Sequence, residues 1–496
     1  MLTQLNVFIR LSVLLLLVSV ALPAWATGLL ADNDAKSSRD IVGAVCIIRH
    51  DNQMIMLSEV ITKKFALPGG YIERGDSPKE AAIREVLEET GIDVEVAELL
   101  QYRERAAIFS CVAKTPILVS SFKDRTGYPI VASWFAKDYS VEVKRVYLAN
   151  PNDIAQKDYR YPDDAPLLNS WLERTPNSEI EIYRDLLEQV NPMHKLELSW
   201  IQQLQSTVRA MPDASRAILE AIVYLGNLPG EPIFIALLII FVAGFFGPHA
   251  LLQLAVLLFV AIFTANALKL GFASPRPSDI MPELQQANAY GYGFPSMHTL
   301  LATILWGMCW QLLSLRIGRT FRWLSLPLFL SLVVLMALAR VWYGVHFISD
   351  TLASVLLGIV MVAMMILWHG ASSFSLHRCI SDKWFWFYLT MLVGITAALT
   401  FTPSFAYLFA LLLGIFLAVD WLPKHEVAIG LLPKALTTAS ILVGIILINF
   451  CVKWLAAQAS VSLIVLSIRC CGFAFAGLWL VAGSSILSEK IAAKFS

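Results

Sequence analysis

Two patterns of apolar spacing divide this chain. Between residues 40 and 165 the apolar positions come in short runs broken by turn residues, the spacing of strands with an interposed helix. IVGAVCIIRH and QMIMLSEV are two such runs, and Asp51-Asn52 supplies a turn between them, which predicts a strand pair. The later run YIERGDSPKEAAIREVLEETGI opens as a loop and turns helical near Pro78, a residue suited to a first helical turn. Residues 166–230 read as amphipathic helix, with Trp171, Leu172, Leu186 and Leu187 set among charges; ASRAILEAIVYLGNLP lies either along a membrane interface or in a soluble helical linker. Beyond 231 the polar face disappears. Span-length apolar segments follow at about 232–247, 251–270, 298–315, 324–341, 351–368, 384–401, 404–421, 435–455 and 461–486. The expected fold is a soluble α/β domain followed by an all-α polytopic membrane domain of about nine transmembrane helices.

The first 26 residues form their own unit: Arg10, then LSVLLLLVSVAL, then Ala24-Trp25-Ala26, which reads as a cleavable secretory signal, with an uncleaved anchor as the alternative. Either version delivers the next domain outside the cytoplasm. Charge gives an independent test. Arg316, Arg319 and Arg322 follow the third span, His377, Arg378 and Lys383 the fifth, Lys424 and Lys434 the seventh, and Lys490 and Lys494 the last. The positive-inside rule makes these ends cytoplasmic, so the soluble domain and the 269–350 stretch face the periplasm of an inner-membrane protein. Arg469, inside the last span, is expected to pair structurally or to snorkel.

Composition narrows the function. A hydrophobic fraction of 57% with 15% charge excludes an ordinary soluble protein, and 38 basic against 38 acidic residues points to no nucleic-acid partner. Seven cysteines without a C-x-x-C spacing indicate neither zinc nor a disulfide scaffold. Cys46 and Cys111 are the one pair outside the membrane half, either bridged or as two buried thiols.

The densest chemistry lies in three motifs: KLGFASPRP from Lys269 to Pro277, Pro295-Ser296-Met297-His298, and ARVWYGVHFISD with Arg340, His346 and Asp350. Each sits where an apolar segment meets a polar turn. Lys269, Arg276 and Arg340 are fixed cations and Ser296 adds a hydroxyl, a set that clamps phosphate oxygens. Asp350, four residues after His346, shares a helix face with it and can hold the imidazole tautomer. His346 then reads as nucleophile and His298 as the acid that protonates the leaving oxygen and later activates water, with no metal or other cofactor required there.

A second cluster lies on the helix after Pro78. Glu85, Glu88 and Glu89 stand at i, i+3 and i+4 on one face, where like charges repel unless neutralised, and hard oxygen donors suit Mg²⁺ or Mn²⁺. Arg84 beside them is a candidate internal counterion. A merely solvated acidic face is the alternative for three glutamates alone.

Both clusters carry family resemblances. The membrane motifs resemble the type-2 phosphatidic acid phosphatase signature Lys-x6-Arg-Pro, Pro-Ser-Gly-His and Ser-Arg-x5-His-x3-Asp, with Met297 in place of the glycine and Ala339 in place of the serine. The acidic run resembles the Nudix box: Gly70, Arg84, Glu85, Val86, Glu88, Glu89, Gly91 and Ile92 match, while Asp76 stands where the family has glutamate. This second resemblance, covering about 40–165, implies a mixed sheet between helices and a divalent metal on Glu85, Glu88 and Glu89, with Glu142, Asp163 or Asp164 as general base. The implied layout is a signal peptide at 1–26, a Nudix domain at 40–165, a helical linker at 166–230, the phosphatase membrane domain at 231–370 and additional spans at 371–496.

The reading that follows is a bifunctional membrane hydrolase. Its phosphatase half is expected to take lipid phosphates or diphosphates, with undecaprenyl diphosphate favoured over phosphatidic acid or phosphatidylglycerol phosphate. Its Nudix half is expected to take nucleoside diphosphate derivatives. Three alternatives stand beside it: a non-catalytic pyrophosphate sensor, two halves acting in sequence in nucleotide salvage, or a transport or scaffolding protein on the phosphatase fold.

Overall fold

The computed structural model describes residues 41–314, 319–370, 376–423 and 430–495. The signal segment expected at 1–26 lies outside the described residues, as do Arg316 and Lys424.

The alternating runs do form strands. β1 (Gly43–His50) and β2 (Gln53–Glu59) pair antiparallel across Asp51-Asn52, with Asp51 at φ 51. β3 (Phe65–Ala66) and β4 (Gly69–Tyr71) flank them, α1 (Pro78–Thr90) follows, and β5 (Val94–Arg103), β6 (Ala106–Ala113), β7 (Ile117–Lys123), β8 (Pro129–Val131) and β9 (Val143–Ala149) complete the sheet's consecutive strands. With β10 (Ile180–Tyr183) at one edge, the strand order is β10-β7-β8-β9-β2-β1-β6-β5. The sheet is mixed, because β1–β6 and β10–β7 run parallel while the other pairs run antiparallel. Period-two alternation sends Ala44, Cys46 and Ile48 of β1 toward α1 and Ile47 toward Trp171 of α2 (Leu168–Glu173). Burial therefore lies on both faces, as a sheet between helices requires. Cys46 and Cys111, on the paired strands β1 and β6, form a disulfide.

The segment expected to be wholly helical contains β10 (Ile180–Tyr183), which pairs parallel with β7. Its Ile-Glu-Ile-Tyr alternation explains the difference: a free edge beside β7 rewards period two. Helices α3 (Pro192–Arg209) and α4 (Asp213–Asn227) follow, and α4 meets α5 (Pro232–Phe245) at a 51° bend.

The membrane half continues with α6 (Gly247–Phe272), the short α7 (Pro277–Ile280), α8 (Met297–Ser314), α9 (Arg319–Trp342), α10 (Ile348–Gly370), α11 (Leu376–Ser381), α12 (Lys383–Thr400), α13 (Pro403–Ala418), α14 (Leu431–Ala457), α15 (Ser462–Leu478) and α16 (Ser484–Phe495). Among the described residues, seven helical stretches are long and apolar enough to cross a membrane. Two expected spans are not among the seven. α5, with 14 residues, is about 21 Å long, short of a hydrocarbon core about 30 Å thick. α8 has its apolar content diluted by His298, Gln311 and two tryptophans.

One apolar cluster runs through α6, α8, α10, α12 and α13. Another joins the halves: Ala132, Tyr183 and Leu198 pack with Ile280, Leu284, Val341 and Phe347. The helices after residue 190 are therefore packed elements of the membrane half's outer surface rather than a loose tether.

Candidate functional site

Lys269 lies in the last turn of α6, which closes at Ala273 in the left-handed region, φ 45. The chain then leads to Arg276, whose backbone N–H donates to Asp279 Oδ2 at 2.9 Å. The Arg276 guanidinium is 6% exposed and its nitrogens reach four carbonyls: Gly291 from Nε (2.7 Å), Val345 from Nη1 (2.7 Å), and Tyr290 and Tyr292 from Nη2 (3.0 and 3.2 Å). Lys269 Nζ donates to the same Tyr292 carbonyl. Carbonyls fix these cations without cancelling their charge, so an anion gains more from the site than it would beside carboxylate-paired bases.

Arg276 Nη1 also stands 3.1 Å from His346 Nε2. A guanidinium only donates, so Nε2 is the lone-pair nitrogen and the proton sits on Nδ1. Nδ1 faces Asp350 Oδ2 at 3.5 Å, beyond a normal hydrogen bond, and has no hydrogen-bond partner among the described residues. Asp350 Oδ2 instead accepts the Phe347 N–H at 3.0 Å, at the start of α10. His346 and Asp350 are each 1% exposed. His346 shares its electrostatic surroundings with Arg276, Arg340, Lys269 and His298, so the three motifs converge.

The remaining motif residues divide. Arg340 donates from Nη1 to Asn227 Oδ1 at 3.1 Å, and its Nε has no hydrogen-bond partner among the described residues. Ser296 is fully buried, with its hydroxyl 3.0 Å from Thr299 Oγ1 and its N–H donating to Ser354 Oγ at 2.8 Å. That hydroxyl supports the start of α8. Met297 packs against the membrane-half core, and Ala339 is enclosed by Val208, Val223 and Trp342. Alanine at 339 fits that apolar contact.

Several supporting residues carry no sequence motif. Glu197 of α3 accepts both the N–H and the hydroxyl of Ser349 at 3.0 Å. His194 stacks on Phe347 at 3.9 Å with 2° between the planes. Gln205 donates to the Leu284 and Trp342 carbonyls at 2.9 and 2.8 Å. Their only sequence signal is polarity at helical spacing within an amphipathic segment.

The second cluster is built on α1. Ser77 caps it through a reciprocal box with Glu80, Pro78 opens it, and Gly91 closes it at φ 75. This frame puts Arg84 among the carboxylates: Nη1 lies 2.8 Å from Glu85 Oε1 and 3.2 Å from Glu88 Oε2, and Nε lies 3.1 Å from Asp76 Oδ2. Asp76 thus partners the arginine. Glu88 also pairs with Lys137 at 2.6 Å, and Glu89, 7% exposed, accepts the Gly69 N–H at 2.8 Å. At Gly70 a Cβ would stand 2.5 Å from the Glu85 carboxyl carbon, so any larger residue there turns the Glu85 carboxylate aside.

Burial raises the Glu85 and Glu142 carboxyls above their ordinary range and raises Glu89 well above it. Glu142 acts electrostatically on both Glu85 and Glu89, whereas Asp164 is tied to Arg103 at 2.5 Å. Buried oxygen donors short of counterions fit a hard divalent cation in chemistry. They are not gathered into a ligating set: among the described residues no three His, Cys, Asp or Glu side chains stand together to hold a metal.

Arg469 donates to the Ile61 carbonyl at 2.6 Å, across 408 residues of sequence. Its role is a docking contact with the turn between β2 and β3.

Residues 38–167 match the model of the NUDIX domain, and residues 250–374 match that of the PAP2 superfamily. Over 57 residues the chain is 40% identical to an ADP-ribose pyrophosphatase of Methanocaldococcus jannaschii, covering 11% of this chain and 34% of the relative. It is 40% identical over 53 residues to a MutT-like protein of Streptomyces ambofaciens, again 11% of this chain and 34% of the relative. The chain thus spans about a third of the length of these curated relatives. The crystal structure of the first transmembrane PAP2 type phosphatidylglycerolphosphate phosphatase from Bacillus subtilis aligns at 19% identity, over 37% of this chain and 90% of that one, with a TM-score of 0.31. NUDIX domains generally use divalent metals such as Mg²⁺. This chain is a multi-pass membrane protein that joins a NUDIX domain to a PAP2 superfamily domain.

Proposed function

We propose that the chain is a bifunctional membrane phosphohydrolase whose membrane half is a histidine-nucleophile lipid phosphatase. The observation that carries this is the 3.1 Å approach of Arg276 Nη1 to His346 Nε2, which aims the lone-pair nitrogen at the cation that would hold a phosphate. When the guanidinium turns its Nη1 N–H from Nε2 to a phosphate oxygen, the freed Nε2 lone pair attacks phosphorus and the bond to the leaving oxygen breaks, with His298 supplying the proton that oxygen takes up. His298 then takes a proton from water, the water oxygen attacks the phosphohistidine, and inorganic phosphate departs as His346 is regenerated. Lys269, Arg276 and Arg340 stabilise the equatorial oxygens throughout. Asp350 keeps the proton on Nδ1, and Ser296 and Met297 hold the start of the helix that carries His298.

The substrate class is a lipid phosphate or diphosphate, with undecaprenyl diphosphate as the first choice. A site at the end of apolar helices admits a head group while the tail stays in lipid. Both sites are assigned to the periplasmic side of the inner membrane, with nine crossings counting α5 and α8 and a secretory signal at the start.

The NUDIX half is proposed to hydrolyse the pyrophosphate of nucleoside diphosphate derivatives, a class consistent with the ADP-ribose pyrophosphatase relative. Glu85, Glu88 and Glu89 would hold Mg²⁺ or Mn²⁺, which when bound neutralises pyrophosphate charge. Glu142 is the base that takes a proton from the attacking water; its raised carboxyl affinity suits that task. Arg84 and Gly70 keep the carboxylates in register.

The test is phosphate release from undecaprenyl diphosphate by the purified chain, with and without chelator, beside His346→Ala and Glu88→Gln. Chelator-resistant release lost only in His346→Ala is the expected result. Release that needs both metal and Glu88 would overturn the assignment.

A further inference from the structure

Three of the four carbonyls that hold Arg276, and the one that holds Lys269, belong to one segment, residues 285–293, through Tyr290, Gly291 and Tyr292. That segment contains no regular secondary structure, so something outside it must hold it. Two of its backbone N–H groups donate within the membrane half, Gln286 to the Tyr343 carbonyl at 3.0 Å and Gly293 to the Ser274 carbonyl at 2.8 Å, and between these two points the side chains that grip it come from the NUDIX domain. Arg145 of β9 donates to Gln285 Oε1 at 3.1 Å and to the Ala289 carbonyl at 2.9 Å. Arg145 is itself buried, with Asp124 3.4 Å away, and Asp124 also accepts from Tyr147 at 2.8 Å. The Tyr139 ring packs edge-on against Tyr292, centroids 5.5 Å apart. Lys144 Nζ lies over the Tyr290 ring at 4.8 Å, and Arg125 donates to the Gln286 carbonyl at 3.2 Å. Gly291, at φ 70, approaches so closely that a Cβ there would lie 2.5 Å from Ser140 Oγ.

We infer that Arg145 of the NUDIX domain is a positioning residue of the phosphatase site, holding in place the carbonyl segment that seats Arg276 and Lys269. Phosphoryl transfer in the membrane half then depends on a side chain from the soluble half, and residues 250–374 do not make a complete site by themselves. This rests on reading His346 and Arg276 as phosphatase residues. The same stretch, 137–147, touches the acidic cluster as well, through Lys137 on Glu88 and the Asp138 N–H on the Glu88 carbonyl at 2.9 Å. The two sites therefore share one strut.

Two variants of the full chain test this from opposite sides. Arg145→Lys keeps a cation beside Asp124 but loses the fork whose two nitrogens reach Gln285 and Ala289 separately. Gly291→Ala puts a side chain on a left-handed backbone at φ 70 and against Ser140, so it strains the carbonyl segment directly and leaves the NUDIX core untouched. Each is expected to lower kcat/KM for phosphate release about tenfold, since displacement of about an ångström is enough to cost that much. KM should rise more than kcat falls, because Arg276 also binds the ground-state phosphate. Melting temperature is followed in parallel. Unchanged kinetics in Arg145→Lys beside an active wild type overturn the inference and leave the phosphatase reading intact. Losses that merely track a lowered melting temperature, without the KM bias, overturn it equally. A wild type that releases no phosphate removes the reading on which it stands.

Discussion

The two sites are built on opposite electrostatic principles. Around Arg84 the charges are compensated side chain to side chain: one guanidinium among Asp76, Glu85 and Glu88, with Lys137 on Glu88. The buried Glu89 and the more exposed Glu142 remain with only Arg160, among the described cations, acting on them through space, so the surplus is negative. Around Arg276 the guanidinium's hydrogen-bond partners are backbone carbonyls and His346, so position is fixed by neutral groups while Asp279 and Asp350 offset only part of the charge through space. A buried surplus of either sign costs stability until a counter-ion arrives, and each site is thereby selective for its own. The acidic site seeks a cation, and the basic site seeks a phosphate.

That contrast can be broken at several points. The largest effect is expected from His346→Ala, which should lower phosphate release by at least about a thousandfold while pyrophosphate hydrolysis continues, measured on the two substrates separately. Arg276→Lys keeps the charge but loses the fork that spans carbonyls on both sides; a fall in phosphatase kcat/KM of about a hundredfold is expected, and a tenfold or smaller change would show that charge alone suffices. Glu88→Gln should stop metal-dependent pyrophosphate hydrolysis by about a hundredfold and leave phosphate release within about twofold, as read by parallel assays with and without chelator. Gly70→Ala drives a methyl group at the Glu85 carboxylate, and a stability loss of about 1–3 kcal/mol by denaturant melting is expected with reduced pyrophosphatase rate.

The smallest effect sharpens the acidic half. Glu85, Glu89 and Glu142 bind protons more tightly folded than unfolded, because burial disfavours their charged forms. Their contribution to stability is full below the unfolded carboxyl value, about 4.3, and is lost as pH rises through the raised folded values. The metal-free protein should therefore lose stability from this source as pH climbs from about 4 toward neutrality, and added Mg²⁺ should restore it. A melting temperature that rises with pH and ignores Mg²⁺ would show these carboxylates to be otherwise neutralised.

Much of this was legible in the chain itself, for a local reason. The cap at Ser77, Pro78 and Gly91 acts within a few residues, and so does the strand turn at Asp51-Asn52, so short patterns are enough to read them. The motif histidines and cations announce themselves by residue type. What was not legible is long-range. Nothing near Arg276 in the sequence indicates that Tyr290 and Val345 will hold it, and nothing in β9 marks Arg145 as a partner of Gln285. Glu197 and Asn227 look like solvated helix positions until the fold sets them against Ser349 and Arg340. The strand β10 was hidden by its helical neighbours, since its alternation covers only four residues.

The hydrogen bond from Arg469 to the Ile61 carbonyl bears on how the chain is made. A ribosome delivers the NUDIX sheet early and the helix carrying Arg469 near the end, so this contact cannot form until almost all of the membrane half has been synthesised and inserted. The soluble domain must persist through that interval with the Ile61 turn undocked, and assembly closes only when one of the last helices reaches back to one of the first strands.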